Sequence, residues 1–404
     1  MRFYSRFLKL IGVVSFLIGG CVDAIELPFK DTTNLLVIEG TITNLPETQR
    51  IRLSRAKADP ITGRLGTIKI SKAIVEVLVD SSLAVPFTEK DSGTYQAPLS
   101  FKGQVGHAYQ LRFTLPDGRN YTSTTEVMQP SPPIGQLTPQ FNANSLPLNQ
   151  RINGVYAAAY DFFLTTQDPT DQHNYYRWSW KLWERQEWCR TCDNAYYSEY
   201  YPFDQNRRFE DCVDVSRYIQ SEYFTYDYSC RTPCWQVFEG YDINVFDDQY
   251  SNGGTIVNRR IAQVPYYQAG GCLVDIRQGA LTAGAYRYYK LLQDQTQNTG
   301  GLADTPPTVL SGNVHNLANR KEVVIGYFTA EGVSSLRYWL DRRDAQTAAP
   351  GLYQALSNGK NPHPETNAPE DRGYGIFDGS DRPPTAVCLE SDSRTALKPT
   401  DWRD

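Results

Sequence analysis

The sequence predicts a mostly β protein. An immunoglobulin-like β-sandwich is expected over residues 34–128, followed by a larger β-rich domain over 141–404 with one or two helices and a disulfide-stapled excursion. Three observations carry that reading. Apolar residues recur with period two in many short runs, the pattern of half-buried strands. Tyrosine is abundant, 27 residues, alongside 24 Pro and 29 Gly that suit short strands joined by turns. Gln129-Pro130-Ser131-Pro132-Pro133 interrupts every periodicity, and prolines in that density make a stiff connector over 129–140 rather than a ladder.

The chain opens with a leader. Arg2, Arg6 and Lys9 are basic, and residues 10–18 form an apolar run. Its length matches a signal-peptide core and falls well short of the ~20 residues that span a bilayer as a helix. Gly19 and Gly20 precede Cys21, so residues 1–20 read as a lipoprotein signal peptide with Cys21 as the lipid-attachment residue. The alternatives are an ordinary signal peptide cut near Gly20, or an N-terminal strand. One acyl chain holds a protein only marginally, so stable anchoring needs two or more. The expected partner is therefore a membrane, reached through N-terminal acyl chains, with residues 21–33 as a tether. No later stretch approaches ~20 uninterrupted apolar residues.

Charge narrows the partners further. The chain carries 40 Lys and Arg against 45 Asp and Glu, a net charge of -5, and about -8 without Arg2, Arg6 and Lys9. That balance argues against nucleic acid or an anionic membrane face.

Within 34–128 the strands follow in order. Leu35-Leu36-Val37-Ile38 is a buried run. Ile51 and Leu53 alternate with Arg52 and Ser54, and Val75, Val77 and Val79 share one face. Asp91-Ser92-Gly93 and Pro116-Asp117-Gly118 mark turns around Tyr109-Gln110-Leu111-Arg112-Phe113. About seven short strands in a module of this length is the mark of an immunoglobulin-like sandwich.

In the second domain, Tyr176, Trp178, Trp180 and Leu182 share one face of a strand, an aromatic stripe that reads as sheet core. Residues 188–235 hold five cysteines with little regular periodicity, which suggests an excursion stapled by disulfides. Residues 283–296 are the best helix, with Thr282 to cap the start and Asn298 and Gly300-Gly301 to end it. Two strands over 323–329 and 335–340 flank Glu331-Gly332, which reads as a hairpin turn. Residues 345–384, rich in Pro, Gly, Asn and Asp, read as a long surface loop.

If Cys21 is acylated, seven of the eight cysteines remain. In an exported protein Cys189, Cys192, Cys212, Cys230, Cys234 and Cys272 are disulfide candidates. Seven is odd, so at least one thiol is free, intermolecular or buried. Cys189 and Cys192 with Cys230 and Cys234 also fit a four-thiolate zinc site, but an oxidising envelope favours disulfides.

Other chemistry is sparse. His107, His173, His315 and His363 sit in no metalloprotease motif, and no nucleophile elbow or phosphate loop appears. Asp242, Asn244, Asp247 and Asp248 miss the spacing of a calcium loop and read as solvated charges. No catalytic residue, metal or cofactor is assigned.

Several stretches together resemble an envelope lipoprotein family known only as a domain of unknown function, DUF4249. They are Cys21-Val22-Asp23-Ala24-Ile25-Glu26-Leu27 with Leu36-Val37-Ile38-Glu39-Gly40-Thr41-Ile42-Thr43, and Gly103-Gln104-Val105-Gly106-His107-Ala108-Tyr109 with Leu115-Pro116-Asp117-Gly118. Gly312-Asn313-Val314-His315-Asn316, Gly326-Tyr327-Phe328, Arg337, Cys388 and Lys398-Pro399-Thr400-Asp401-Trp402 complete the set. The family usually carries C-x-x-C before its tail, whereas Ser391 stands here in place of the second cysteine. That departure makes Cys388 the expected free thiol. The resemblance implies an outer-membrane-associated lipoprotein, periplasmic or surface-facing, beside TonB-dependent transporters, and it supplies no activity.

Three functions compete. The first is a non-enzymatic accessory lipoprotein that docks to an outer-membrane transport system. The second is a surface protein that binds glycans or peptides by stacking them on exposed Trp183, Trp188 and Trp235. The third is a hydrolase with a carboxylate pair hidden in the fold.

Overall fold

The computed structural model describes residues 35–58, 65–170, 172–193, 195–200, 209–214, 225–297, 310–356, 363–364 and 385–404. The leader, Cys21, the tether and most of the loop expected over 345–384 lie outside the described residues. Among the described residues no helix is long and apolar enough to cross a membrane.

The first module is built from β1 (Leu36–Thr43), β2 (Arg50–Ala58), β3 (Leu65–Lys69), β4 (Ile74–Val79), β5 (Leu83–Asp91), β6 (Thr94–Gln96), β7 (Ala108–Thr114), β8 (Asn120–Ser123) and β9 (Glu126–Val127). Burial alternates along β1, with Leu36, Ile38, Gly40 and Ile42 turned inward. β2 pairs antiparallel with β1, then β3 and β6 pair with β2. β4 lies between β5 and β7 in a second layer, and β8 and β9 pair with β7. Ile38, Ile51, Val77, Tyr95, Leu111 and Phe113 meet between the layers. Each such side chain contributes about 1.5–3 kcal/mol by leaving water.

The second module holds β10 (Gln136–Asn142), β11 (Ala159–Gln167), β12 (Tyr175–Asp193), β13 (Ala195–Tyr200), β14 (Phe209–Asp214), β15 (Thr225–Glu239), β16 (Asn244–Asp247), β17 (Thr255–Pro265), β18 (Cys272–Ala280) and helix α1 (Ala283–Thr296). There follow β19 (Val314–Asn316), β20 (Val324–Ile325), β21 (Phe328–Leu340), the short helix α2 (Leu352–Leu356), and β22 (His363–Pro364), β23 (Thr385–Ala386) and β24 (Arg394–Thr395). β12 is central, paired with β18 along one edge and with β15 and β16 along the other. The sheet β10-β11-β17 packs on it, and the aromatic stripe Tyr176, Trp178, Trp180 and Leu182 fills the space between them. Thr282 caps α1 as the sequence implies, its side chain accepting from the Ala285 amide at 3.2 Å.

The chain returns to the first module late. β19 pairs with β8, and β20 and β21 run parallel to β1. Val314, Val324, Phe328 and Ala330 therefore belong to the same core as Ile38 and Leu111. β21 then leaves β1 and pairs with β18 from Ala280↔Gly332 to Cys272↔Leu340.

This corrects the reading of Glu331-Gly332 as a hairpin turn. Glu331 and Gly332 lie within one continuous strand, at the point where it passes from one module to the other. Gly332 is needed for close approach: a Cβ there would sit 2.1 Å from the Gln129 carbonyl oxygen, where the proline connector crosses the strand.

Candidate functional site

β21 pairs with β1 in its first part and with β18 in the rest, and an open cleft of about 1610 Å³ is lined by residues of both modules. One wall comes from β1, β2 and the turn between them. The other comes from β12, β18 and the segment after β15, and Glu331 lies at the floor.

The charges here are matched across elements. Arg277 on β18 donates to both oxygens of Glu47 in the β1–β2 turn, at 2.8 Å each, and its Nε donates to Asp275 at 2.9 Å. Arg177 on β12 reaches the buried Glu331 at 2.8 Å while its guanidinium covers the Tyr289 ring at 4.7 Å. Gly279 makes room for that carboxylate, since a Cβ there would lie 2.4 Å from Glu331 Oε2. Arg50 pairs with Asp392 at 3.1 Å, Arg52 with Glu39 at 3.6 Å, and Lys181 with Glu239 at 3.6 Å. Aromatic surface is offered too. Tyr241 is 94% exposed, and Tyr267 stacks on Phe238 at 4.4 Å.

Beside the cleft, buried Glu126 ties the sandwich to α1. It accepts from the Thr282 hydroxyl at 2.6 Å and the Tyr327 hydroxyl at 3.0 Å. Burial raises its carboxyl above the ordinary value of 4.5, against the pull of these donors. The cap of the helix is thus also its attachment to the neighbouring module.

The cysteines pair as Cys189–Cys230, Cys192–Cys212 and Cys234–Cys388. These bonds pin the arm formed by β12, β15 and the β13–β14 hairpin, and they consume the thiolates that a zinc site would need. Two expectations are corrected here. Cys388 is not free: β23 pairs with β15 and carries the tail toward Cys234. Cys272 is not a disulfide partner: it starts β18, is fully buried in the core, and stays a free thiol.

The exposed tryptophan platform is also corrected. Trp183 and Trp235 are buried in one cluster with Leu273 and Trp402, because the C-terminal tail folds over them. Trp188 is half-buried, edge-on to Tyr353 at 5.2 Å, with the Arg394 guanidinium over its ring at 5.4 Å. His315 pairs through β19 with Thr122. His107 meets Asp80 at 2.6 Å on the surface. Asp242 accepts from Gln150, and Asn244 donates to the Ile261 carbonyl at 2.9 Å. Asp247 and Asp248 go elsewhere, to His173. Asp248 is fully buried and so is not a solvated charge.

Sequence reasoning missed Arg277, Glu47, Arg177 and Glu331. Nothing local signals them, since Glu47 and Arg277 lie 230 residues apart.

A family model described as a domain of unknown function, DUF4249, matches residues 22–337. No curated protein and no solved structure matches the chain.

Proposed function

The chain belongs to the DUF4249 family, and from its own residues we propose that it is a non-enzymatic envelope lipoprotein, anchored through acyl chains on Cys21, that docks onto an outer-membrane transport system of the TonB-dependent type. The observation that carries this reading is the cleft between the modules. At about 1610 Å³ it exceeds the ~300–1,000 Å³ usual for small-molecule sites. Its walls combine ion pairs with about as much apolar and aromatic surface, a mixture that suits an extended segment of a partner protein. The non-enzymatic reading draws support from the same walls. Glu39, Glu47, Glu239, Glu331 and Asp392 each pair with an Arg or Lys, and Asp242, its carboxyl raised by burial, accepts from Gln150, so each of these acids has a structural partner.

Co-purification of the gently solubilised protein tests the reading. An outer-membrane transporter should be recovered with the wild type and lost with Cys21→Ser, which removes the anchor. Recovery of no envelope partner would contradict it. Tyr241, exposed on the cleft wall, also favours a second reading in which the cleft holds a glycan or peptide by stacking. Saturable binding of soluble oligosaccharides or peptides, abolished by Tyr241→Ala, would support that reading instead.

A further inference from the structure

A second cluster lies away from the cleft, where the loop before β12 meets the turn after β16. The His173 Nε2 and one carboxylate oxygen each from Asp247 and Asp248 all lie within 4.8 Å of one another. Nε2 is 2.5 Å from Asp247 Oδ1 and 3.3 Å from Asp248 Oδ1. Such a group is common on surfaces without any ion, so the state of Asp248 decides its meaning.

Asp248 is fully buried. Its Oδ2 accepts from the Asn174 amide at 2.8 Å and from Asn174 Nδ2 at 3.2 Å. Its Oδ1 accepts no hydrogen bond among the described residues, and it faces His173. A buried carboxylate oxygen without a donor is costly, and either a proton shared with the neighbouring Asp168, which is in side-chain hydrogen-bond contact with Asp248, or a bound cation relieves it. Asp168 stands behind it with both oxygens occupied: Oδ1 takes the Tyr176 hydroxyl at 2.5 Å and Oδ2 the Gly253 amide at 3.0 Å. Three carboxylates therefore gather around one imidazole. Among the described residues no Lys or Arg pairs with Asp168, Asp247 or Asp248.

We propose that His173, Asp247 and Asp248 bind one divalent transition-metal ion of the zinc or manganese class. Metal–ligand bonds of about 2.0–2.2 Å place neighbouring ligand atoms about 3–3.5 Å apart, close to the separation of His173 from Asp248. His173 and Asp247 stand closer than that and must part for an ion to enter, within a group whose ligand atoms all lie within 4.8 Å of one another. An imidazole with two carboxylates suits these ions, whereas calcium seeks six to eight oxygens. The His173 side chain is 43% exposed, so water completes the coordination from the solvent side. Stacking on Tyr175 at 4.6 Å holds the ring in place, and Asn174 orients Asp248 from behind.

The test uses the full-length, untagged protein in detergent, stripped with EDTA and dialysed. ZnCl2, MnCl2 and CaCl2 are titrated separately, with calorimetry for stoichiometry and thermal unfolding for stabilisation. One equivalent of zinc or manganese should bind and raise Tm, with calcium far weaker. His173→Ala, at a 43% exposed side chain, and Asp247→Asn, which keeps an oxygen for the Gln249 amide, should each weaken binding at least about tenfold and leave the metal-free Tm close to wild type. Absence of saturable binding by zinc and manganese would overturn the proposal. So would equal zinc affinity in wild type and both variants, which would place the ion elsewhere.

Discussion

Arg277 grips Glu47 through two parallel N–H···O bonds of 2.8 Å, one from each terminal nitrogen to each carboxylate oxygen. The pair joins β18 of one module to the β1–β2 turn of the other across the cleft. A fork-to-fork pair fixes orientation as well as distance, which a lysine would not reproduce. Arg277→Ala also strips the partner from nearly buried Asp275, so it should cost about 2 kcal/mol in urea unfolding. Glu47→Gln should cost under about 1 kcal/mol, since Glu47 is 37% exposed and Arg277 keeps Asp275. Equal losses in the two variants would show that the inter-module pair, rather than Asp275, carries the energy.

The buried Cys272 makes a countable prediction. Burial pushes its thiol well above the ordinary value, so it should not react with a thiol reagent in the folded protein. After denaturation without reductant, one thiol per chain should appear if Cys21 is acylated. A second thiol would mean that Cys21 carries no thioether-linked lipid.

The Cys234–Cys388 bond closes a separation of 154 residues and holds the tail that covers Trp183 and Trp235. Replacing both cysteines by alanine should cost about 2–4 kcal/mol. It should also red-shift tryptophan fluorescence as Trp235 and Trp402 separate from their 5.8 Å contact. Unchanged emission would show that β24, paired to β15, holds the tail unaided.

Glu126 should impose a pH dependence. Its folded-state value lies above 4.5, raised by burial, so the folded chain binds the proton more tightly than the unfolded chain. The resulting stability is fully present below pH 4.5 and is lost as pH rises through the folded value. Gln does not titrate, so the stability of the wild type relative to Glu126→Gln should fall as pH rises above 4.5 in denaturant melts. A difference independent of pH would contradict this assignment.

How much was legible in the sequence follows from the range of each interaction. The α1 cap depends on Thr282 and Ala285, three residues apart, and the alternation of β1 is likewise local. Both are readable without a structure. Glu331-Gly332 misled because a glycine after a charged residue is a local turn signal, whereas here the glycine answers to Gln129 and the glutamate to Arg177. The missing second cysteine of the tail motif points to Cys388 as the free thiol, whereas Cys388 is disulfide-bonded. Its true partner, Cys234, is distant in sequence, and Cys272 is set apart by its place in the main core of the second module, away from the cluster that gathers the other described cysteines. Ion pairs that line the cleft join residues with no local pattern, so the candidate site was not visible at all.

A photo-crosslinking amino acid in place of Tyr241, on the cleft wall, tests the docking claim most directly. The control position is Leu83, 61% exposed at the start of β5. In intact envelopes, the position-241 probe should yield a crosslinked product that mass spectrometry identifies as an outer-membrane transporter, and the position-83 probe should not. Equal crosslinking at both positions, or no transporter at position 241, would contradict docking through the cleft.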